Sequence, residues 1–335
     1  MVIGENIHTT RIVLRKGVRV TEDPEGVESV TYTESDGTRR FLRIPEVVKK
    51  SQDYDEGRVK HVKIAVQAAM SGIGNEAEEG LNYLRVMVDK QVSAGADFLD
   101  LNVDEISLKP DERKDAMTWL VGAVQELTDV PLSIDSSNVE VIETGLTACR
   151  AGEAGHLLNS ASLERPEALD LAVRFDTNVV ITAAGDAGMP ENTEERVDHA
   201  SRMVEAAVER GIALGRVYLD PLIFPISVNS KFGNDSLDAI RILRKRFGPD
   251  MHITGGMSNV SFGLPARRLI NDVYVNLAVD AGADSGIVDP VTSKLGGVFS
   301  IDRESAPYKL AEAMLLGNDE YCANFISAFR KGELK

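Results

Sequence analysis

The chain has 335 residues, with 37 Lys and Arg against 53 Asp and Glu, which gives a formal net charge of −16. This acidity argues against nucleic acid or an anionic membrane as a partner, while a hydrophobic fraction of 43% is typical of a globular protein. With two cysteines, no signal-peptide core and no apolar run of about 18 residues, we expect a soluble, cytoplasmic protein without a disulfide scaffold or membrane span.

Eight short apolar runs recur along the chain. They lie at 2–7, 97–103, 131–135, 156–160, 178–184, 217–222, 252–259 and 285–289. The runs are continuously apolar rather than alternating, which is typical of strands that are buried on both faces of a parallel sheet.

Amphipathic stretches with a helical period separate these runs. The clearest are 112–127, 138–149, 166–174, 191–214, 235–247 and 267–281. Strands that alternate with helices indicate βαβ units and therefore a parallel sheet. Eight such units predict an α/β protein with a single (β/α)8 TIM barrel over residues 1–335. A doubly wound open sheet is the alternative.

Residues 9–66 interrupt this alternation. Asp36-Gly37 lies between two alternating, strand-like runs, which is the pattern of a β-hairpin. The segment falls between the first strand and the first barrel helix, so we predict an insertion that projects from the catalytic face. A lid or a partner-docking surface is one interpretation, and a decorative insertion or an oligomer contact is the other.

A polar residue lies at or beside the carboxyl end of every predicted strand. The series is Asn6, Asp100 with Asn102, Asp135, Asn159, Asp186, Asp220, Asn259 and Asp289. In a barrel these ends meet on the face where such enzymes place their active sites. Helix capping explains some of these positions, but it does not select only acids and amides. We therefore predict a polar pocket.

The residue types in this pocket limit its chemistry. No His-x-His or His-Glu-x-x-His pattern is present, so we expect no metal site, and no Gly-x-Ser-x-Gly motif marks a nucleophile. The Gly-rich segment 255–263 matches neither a P-loop nor a dinucleotide fingerprint. Carboxylates and amides without a nucleophile are suited to hold a neutral, hydrogen-bonding ring such as a pterin.

Six segments carry a resemblance to a known family. They are IGENIH (3–8), DFLDLNV (97–103), PLSIDSSN (131–138), LLNS (157–160), YLDPLIFP (218–225) and GGMSNVSFGLPARRLIN (255–271). The chain resembles the pterin-binding family of methyltetrahydrofolate:corrinoid methyltransferases, the folate domain of cobalamin-dependent methionine synthase and, more distantly, dihydropteroate synthase. The resemblance covers nearly everything except residues 9–66.

The resemblance implies a role for individual residues. The implied pterin ligands are Asp135, Asn159 and Asp220, with Asn102 in the same pocket, Arg267 near the folate tail, and Glu5, Asp100 and Asp289 as possible further members. For Asp289 a capping role is favoured. Asn259 matches the mobile amide that hydrogen-bonds N5 of the folate, and is the implied catalytic residue. Asp104 departs from the family, in which Gly often follows Leu-Asn-Val.

The implied activity is methyl transfer between N5 of tetrahydrofolate and the cobalt of a corrinoid protein, in either direction. Tetrahydrofolate or 5-methyltetrahydrofolate is then a substrate, and the family's usual state is a homodimer without a metal of its own. We expect no corrinoid-binding Asp-x-His-x-x-Gly site in this chain, so the cobamide must arrive on a separate protein. A dihydropteroate synthase-like condensing enzyme and a non-catalytic folate-binding protein are the alternatives.

The condensing alternative is disfavoured by two departures. Dihydropteroate synthases have Ser-Arg-Lys on the seventh strand and Arg-x-His on the eighth, where they bind diphosphate and an arylamine. This chain has Met257-Ser258-Asn259 and Ile287-Val288-Asp289-Pro290 at those places. The methyltransferase interpretation is therefore preferred within the family.

Overall fold

The computed structural model describes residues 1–71, 73–150 and 155–334. The strands are β1 Val2–His8, β2 Val13–Leu14, β3 Val20–Glu22, β4 Glu28–Thr33, β5 Arg39–Arg43, β6 Arg58–Val59, β7 Phe98–Asn102, β8 Leu132–Asp135, β9 Leu157–Ala161, β10 Asn178–Thr182, β11 Val217–Asp220, β12 His252–Ile253 and β13 Gly286–Val288. The helices are α1 Glu46–Lys49, α2 Gln52–Asp55, α3 His61–Ser71, α4 Gly74–Ser93, α5 Pro110–Gln125, α6 Val139–Ala148, α7 Ala168–Arg174, α8 Thr193–Glu209, α9 Phe232–Phe247, α10 Arg267–Ala281, α11 Leu295–Phe299, α12 Ala306–Leu315 and α13 Ala323–Lys331.

The fold is a (β/α)8 barrel, as predicted. Within the described ranges, eight strands form one sheet in the order β12-β11-β10-β9-β8-β7-β1-β13, and helices separate successive strands of this sheet along the chain. The first strand pairs in parallel with the last, Val2 opposite Gly286. A parallel bridge between Gly256 and Ile287 joins the remaining two edges. Each of the eight apolar runs contains a barrel strand, but the run 252–259 is a strand only at His252–Ile253 and then leads into a 3-10 helix, Met257–Ser261.

The chain divides into two compact units, each described separately below. The insertion unit comprises Glu5–Ser93 and Phe98–His156, and the carboxyl unit comprises Met1–Gly4, Ala94–Asp97 and Leu157–Lys335. The strand ends that carry the predicted site residues are distributed over both units.

The predicted hairpin of the insertion unit is confirmed. β4 and β5 pair antiparallel from Ser29 opposite Arg43 to Thr33 opposite Arg39. Gly37 takes a positive φ of 89° in the turn between them, which favours glycine there. The sequence did not predict β3, which adds a third strand to this sheet, nor the β2–β6 pair and the short helices α1 and α2.

The insertion has a core of its own and packs on the barrel helix α4. Val30 and Leu42 are buried between the strands, and the ring of Tyr32 meets that of Tyr83 edge to face at 4.9 Å. The Thr9 backbone N–H donates to the Asn102 carbonyl at 2.9 Å, beside the carboxyl end of β7. The start of the insertion is therefore anchored at that strand end.

The carboxyl unit holds β9 to β13 with helices α7 to α13. β10 lies between β9 and β11, and Thr182 is opposite Asp220 at the carboxyl end of the β10–β11 pair. Helix α10 has the bounds that its apolar period predicts. It ends where Gly282 takes a φ of 118°, which an L side chain rarely adopts.

Candidate active site

In the insertion unit, the ends of β7 and β8 bring Asn102 and Asp135 together. Asn102 Nδ2 donates to Asp135 Oδ2 at 2.9 Å, and Asn102 Oδ1 accepts from the Asp104 N–H at 3.0 Å. The Asn102 amide is thereby oriented, because each of its ends has a fixed partner. The two side chains therefore lie together at neighbouring strand ends, and their role as pterin ligands stays a prediction.

Asp104 fixes the loop that follows β7. One of its carboxylate oxygens accepts from Ser136 Oγ at 2.5 Å, and the other accepts from the Ser137 N–H at 2.8 Å. A glycine at this position would have no side chain for these bonds. The departure from the family pattern therefore adds a tie between the loops after β7 and β8.

His8 forms a side-chain pair that the sequence did not predict. Its Nε2 lies 2.7 Å from Asp100 Oδ2, and Asp100 is fully buried. His8 ends β1, and its ring pairs with a carboxylate. The sequence signal was its place at the carboxyl end of the first strand.

Burial and the neighbouring charge shift the pKa of His8 in opposite directions. Burial opposes the charge of His8, but the hydrogen bond and the charge of Asp100 outweigh it and raise the pKa of His8. Burial, together with the charge of Asp100, raises the pKa of Asp135 to about 7. One nitrogen or oxygen from each of the three side chains lies within 4.8 Å of the others. This spacing allows a shared proton, and it is also open enough to surround a divalent cation.

In the carboxyl unit, Asp220 ends β11 and is buried. Its Oδ1 accepts from the Leu222 N–H at 2.7 Å, and the Gly256 N–H also hydrogen-bonds the carboxylate. Burial nevertheless raises the pKa of Asp220 to about 6. The neighbouring Gly255 is required, because a Cβ there would lie 3.0 Å from Asp220 Oδ1 and its φ is 157°. Asp220 is thus held rigidly beside backbone.

Arg196 of α8 supports the loop after Asp220 and was not predicted from the sequence. Its fully buried side chain donates from Nε to the Leu222 carbonyl at 3.2 Å and from a terminal nitrogen to the Asn192 carbonyl at 3.0 Å. Its guanidinium lies 4.9 Å from the ring centre of Phe224 and 5.5 Å from that of Phe232. These contacts compensate part of the cost of burying a cation.

Asn259 lies on a short 3-10 helix, Met257–Ser261, in the loop after β12. Its side chain is exposed and makes no hydrogen bond to any part of the chain that the structure describes. Arg267 holds this loop, donating from Nε to Ser261 Oγ at 3.0 Å and from a terminal nitrogen to the Ser258 carbonyl at 2.9 Å. A fixed backbone therefore carries an amide that is free to rotate.

The remaining predicted residues have distinct places. Asn159 is buried within β9, and Glu5 pairs with Arg11 at 3.5 Å near the end of β1. Asp289 Oδ1 accepts from the Val291 N–H at 3.0 Å and the Thr292 N–H at 3.2 Å. Asp289 thus has the favoured capping role, although it caps a turn rather than a helix.

The comparison with protein families decides the assignment. Residues 74–289 match the model of the family described as "Pterin binding enzyme". The chain belongs to the pterin-binding enzyme family. The match begins after the insertion and ends at β13, so it includes β7 to β13 and the strand ends described above.

Two curated relatives of this pterin-binding enzyme cover most of the chain. A protein of Eubacterium limosum named methylcorrinoid:tetrahydrofolate methyltransferase is 32% identical over 259 residues, which are 75% of this chain and 89% of that protein. The methionine synthase of Mycobacterium leprae (strain TN) is 28% identical over 279 residues, which are 79% of this chain. The match spans only 22% of the length of that methionine synthase.

Solved structures of dihydropteroate synthases share the fold. The Yersinia pestis enzyme with a pterine-sulfa conjugate has a TM-score of 0.52 at 22% identity, over 66% of this chain and 86% of that one. The Stenotrophomonas maltophilia enzyme with bound imidazole has a TM-score of 0.54 at 19% identity, also over 66% and 86%. At this identity the likeness shows the barrel alone.

One sequence expectation about this pterin-binding enzyme needs correction. The letters of Asp-x-His-x-x-Gly do occur, at Asp250 to Gly255. The structure places His252 in barrel strand β12, where its ring stacks on Tyr218 at 4.6 Å and its Nδ1 lies 2.9 Å from Asp284. The motif letters are therefore part of the barrel.

In the described part of the chain, no helix is long and apolar enough to cross a membrane.

Proposed function

We propose that this protein transfers a methyl group between N5 of tetrahydrofolate and the cobalt of a corrinoid carried by a separate protein, in either direction. The observation that carries this proposal is the similarity to the Eubacterium limosum methyltransferase, which extends over 89% of that relative. Membership of the pterin-binding family supports the folate half of the reaction. The sequence arguments against a condensing enzyme support the choice within the family.

The proposed pterin ligands have the chemistry that a pterin ring requires. Asp220 is a buried acceptor and Asp135 a half-buried one, and both are suited to the amino and N–H groups of the ring. Asn159 and Asn102 offer both a donor and an acceptor. A buried acceptor that meets the ring's donors contributes more than the same contact in water. Arg267 lies near the folate tail in this proposal, and its contacts to the 257–263 loop would transmit the tail's position to Asn259.

Asn259 would act at N5 of the folate. N5 must be unprotonated to attack a methyl group, and it must be protonated or strongly hydrogen-bonded when the methyl group leaves. A side-chain amide presents an acceptor or a donor by rotating, so one residue serves both directions. The exposed, unpaired state of Asn259 supports this role. The corrinoid supplies the cobalt that gives or receives the methyl group, and the chain contributes mainly by positioning the folate.

A partner protein would dock on loops that follow strands. Several of these loops expose a large apolar side chain, as Leu108 does after β7, Met189 after β10, Val228 after β11 and Phe262 after β12. Exposed apolar groups mark an interaction surface when they form a contiguous patch, which is what this proposal requires of them. The insertion would contribute to the same docking, since Lys60 Nζ pairs with Glu105 of the β7 loop at 2.7 Å. The homodimer and the lack of a resident metal stay predictions from the resemblance, and the cytoplasmic location stays a prediction from the sequence.

The experiment mixes the protein with tetrahydrofolate and methylcobalamin under anaerobic conditions and follows the cobalt spectrum. We expect loss of the methylcobalamin absorbance at a rate proportional to the protein concentration, with 5-methyltetrahydrofolate as the product. Repeating the assay with a methylated corrinoid protein removes the weak binding of the free cofactor as a cause of slow turnover.

Two outcomes would replace the proposal. Turnover of para-aminobenzoate with a pterin diphosphate would indicate a condensing enzyme. Tight folate binding without methyl exchange, even with a methylated corrinoid protein, would indicate a non-catalytic folate-binding protein.

A further inference from the structure

The second residue after Asp220 has an unusual backbone conformation. Leu222 takes a φ of 64°, in the left-handed region that a residue with a side chain rarely adopts. In this conformation its N–H donates to Asp220 Oδ1 at 2.7 Å. The chain is held on both sides, by strand β11 before Leu222 and by a 3.1 Å hydrogen bond from the Ile226 N–H to the Val260 carbonyl after it. A change to a negative φ would therefore turn the peptide group that carries this N–H.

The side chain of Arg196 contacts the other end of the same residue. Its Nε donates to the Leu222 carbonyl at 3.2 Å, and its guanidinium lies 4.9 Å from the ring centre of Phe224, further along the loop. Leu222 is thus held at its N–H by Asp220 and at its carbonyl by Arg196. Strained backbone of this kind persists only where the surrounding structure imposes it.

Arg196 lacks the partners that normally accompany a buried cation. Among the described residues none forms an ion pair with it, and its Nη2 is buried without a hydrogen-bond partner there. A buried cation that is incompletely paired is unfavourable, and an apolar side chain of similar volume is often as stable in its place. Packing stability alone therefore does not account for an arginine here, and its bond to the loop after Asp220 supplies another reason.

We propose that Arg196 is a positioning residue, which keeps Leu222 in the left-handed conformation and thereby keeps the Leu222 N–H on Asp220. The inference rests on the proposed function, because Asp220 is the carboxylate that would bind the pterin. The charge of Arg196 also acts on Asp220 at longer range. The test must therefore separate the position of the loop from the effect of this charge.

The size of the effect follows from the backbone preference of residue 222. The cost of the left-handed conformation for a residue with a side chain corresponds to a population ratio of about 5- to 30-fold. If the loop loses the Arg196 bond and follows this preference, the apparent affinity for the pterin falls by the same factor. Glycine adopts a positive φ about as readily as a negative one, so the same loss costs about two-fold with glycine there.

The test measures tetrahydrofolate affinity by anaerobic calorimetry, with and without Arg196→Met, in the wild type, in Leu222→Gly and in Leu222→Ala. Leu222→Ala is the matched control, since it also shortens the side chain but keeps the Cβ that disfavours a positive φ. We expect Arg196→Met to lower the affinity about 5- to 30-fold in the wild type and in Leu222→Ala, and about two-fold in Leu222→Gly. A lost charge or lost packing would act equally in all three backgrounds, and that result would overturn the inference.

A second measurement needs no folate. Amide hydrogen exchange at position 222, followed by NMR, reports how often this N–H leaves Asp220. We expect Arg196→Met to accelerate the exchange about 5- to 30-fold in the wild type and about two-fold in Leu222→Gly, and unchanged exchange would overturn the inference. If the wild type binds no folate, the proposed function fails, while the exchange still decides whether Arg196 holds Leu222.

A second variant covers a failure of Arg196→Met to fold. Arg196→Lys keeps the cation but has a methylene group where Nε donates to the Leu222 carbonyl. We expect it to show the same order among the three backgrounds, with the smallest effect in Leu222→Gly. Equal effects of Arg196→Lys in Leu222→Gly and Leu222→Ala would contradict the inference.

Discussion

Asp220→Asn should stabilise the protein relative to the wild type, and this gain should be larger at alkaline pH than at acidic pH. Burial raises the pKa of Asp220 from 3.8 to about 6. The folded state therefore favours the protonated carboxyl. The stability from this preference is fully present below pH 3.8 and is lost as the pH rises through 6. Above pH 7 the wild type keeps a buried carboxylate at a cost of roughly 3 kcal/mol, whereas the amide is never charged.

The size of the effect can be worked out at two pH values. By linkage, about half of the 3 kcal/mol is already lost at pH 5 and nearly all of it at pH 8. The amide offers one acceptor oxygen to the N–H groups of Leu222 and Gly256, so it forfeits about 1 kcal/mol at either pH. The variant should gain roughly 2 kcal/mol at pH 8 and about 0.5 kcal/mol at pH 5.

Thermal unfolding followed by circular dichroism at pH 5 and pH 8 measures this difference. For a chain of this length, the difference in melting temperature between the variant and the wild type should increase by about 2 °C from pH 5 to pH 8. Asp250→Asn, at an exposed carboxylate, is the control and should show no such gap. The hydrogen bond that the amide loses costs the same free energy at both pH values. A difference in melting temperature that does not change with pH would therefore refute the electrostatic reasoning.

The remaining predictions concern turnover. Asn259→Ala should lower the rate of methyl transfer by about one to three decades while folate affinity falls far less, because the lost hydrogen bond matters most in the transition state. Single-turnover mixing measures this, and a wild-type rate would contradict the role. Leu108→Ser should raise KM for the corrinoid protein about 5- to 30-fold and leave the rate with free methylcobalamin unchanged. Val208→Ser, on helix α8, is the control, and an equal effect there would refute a docking role for Leu108.

The barrel could be predicted because its signals are local. In the run 178–184, the consecutive residues 179–181 are all apolar and all buried, so the strand Asn178–Thr182 is buried on both faces at its centre, as a parallel sheet covered by helices requires. Helix 267–281 was predicted to the residue, since the apolar period stops where Gly282 ends the helix. The family motifs then predicted a pterin-binding role for Asp135 and Asp220, which lie at two of the strand ends.

The contacts that tune the site could not be predicted, because they join residues far apart in sequence. His8 and Asp100 are separated by 92 positions, and only the register of β1 beside β7 brings them together. The sequence pattern predicts Arg196 as an ordinary charged residue on an amphipathic helix. Its side chain is nevertheless fully buried beside the loop after Asp220. The insertion was missed in part for a related reason. Strands of two or three residues such as β3 carry too little periodic pattern to be recognised.

The ionisation of Asp220 and that of Asp135 are adjusted by different means, and under the proposed function this difference has a consequence. Asp220 accepts from the backbone N–H groups of Leu222 and Gly256, and its pKa is about 6. Asp135 accepts from Asn102 and depends on the charge of His8, and its pKa is about 7. A pterin that needs both carboxylates ionised would lose affinity first through Asp135 as the pH falls. If both carboxylates bind the pterin as proposed, we expect the one whose ionisation depends on a titratable partner, rather than on fixed backbone dipoles, to set the acid limit of binding.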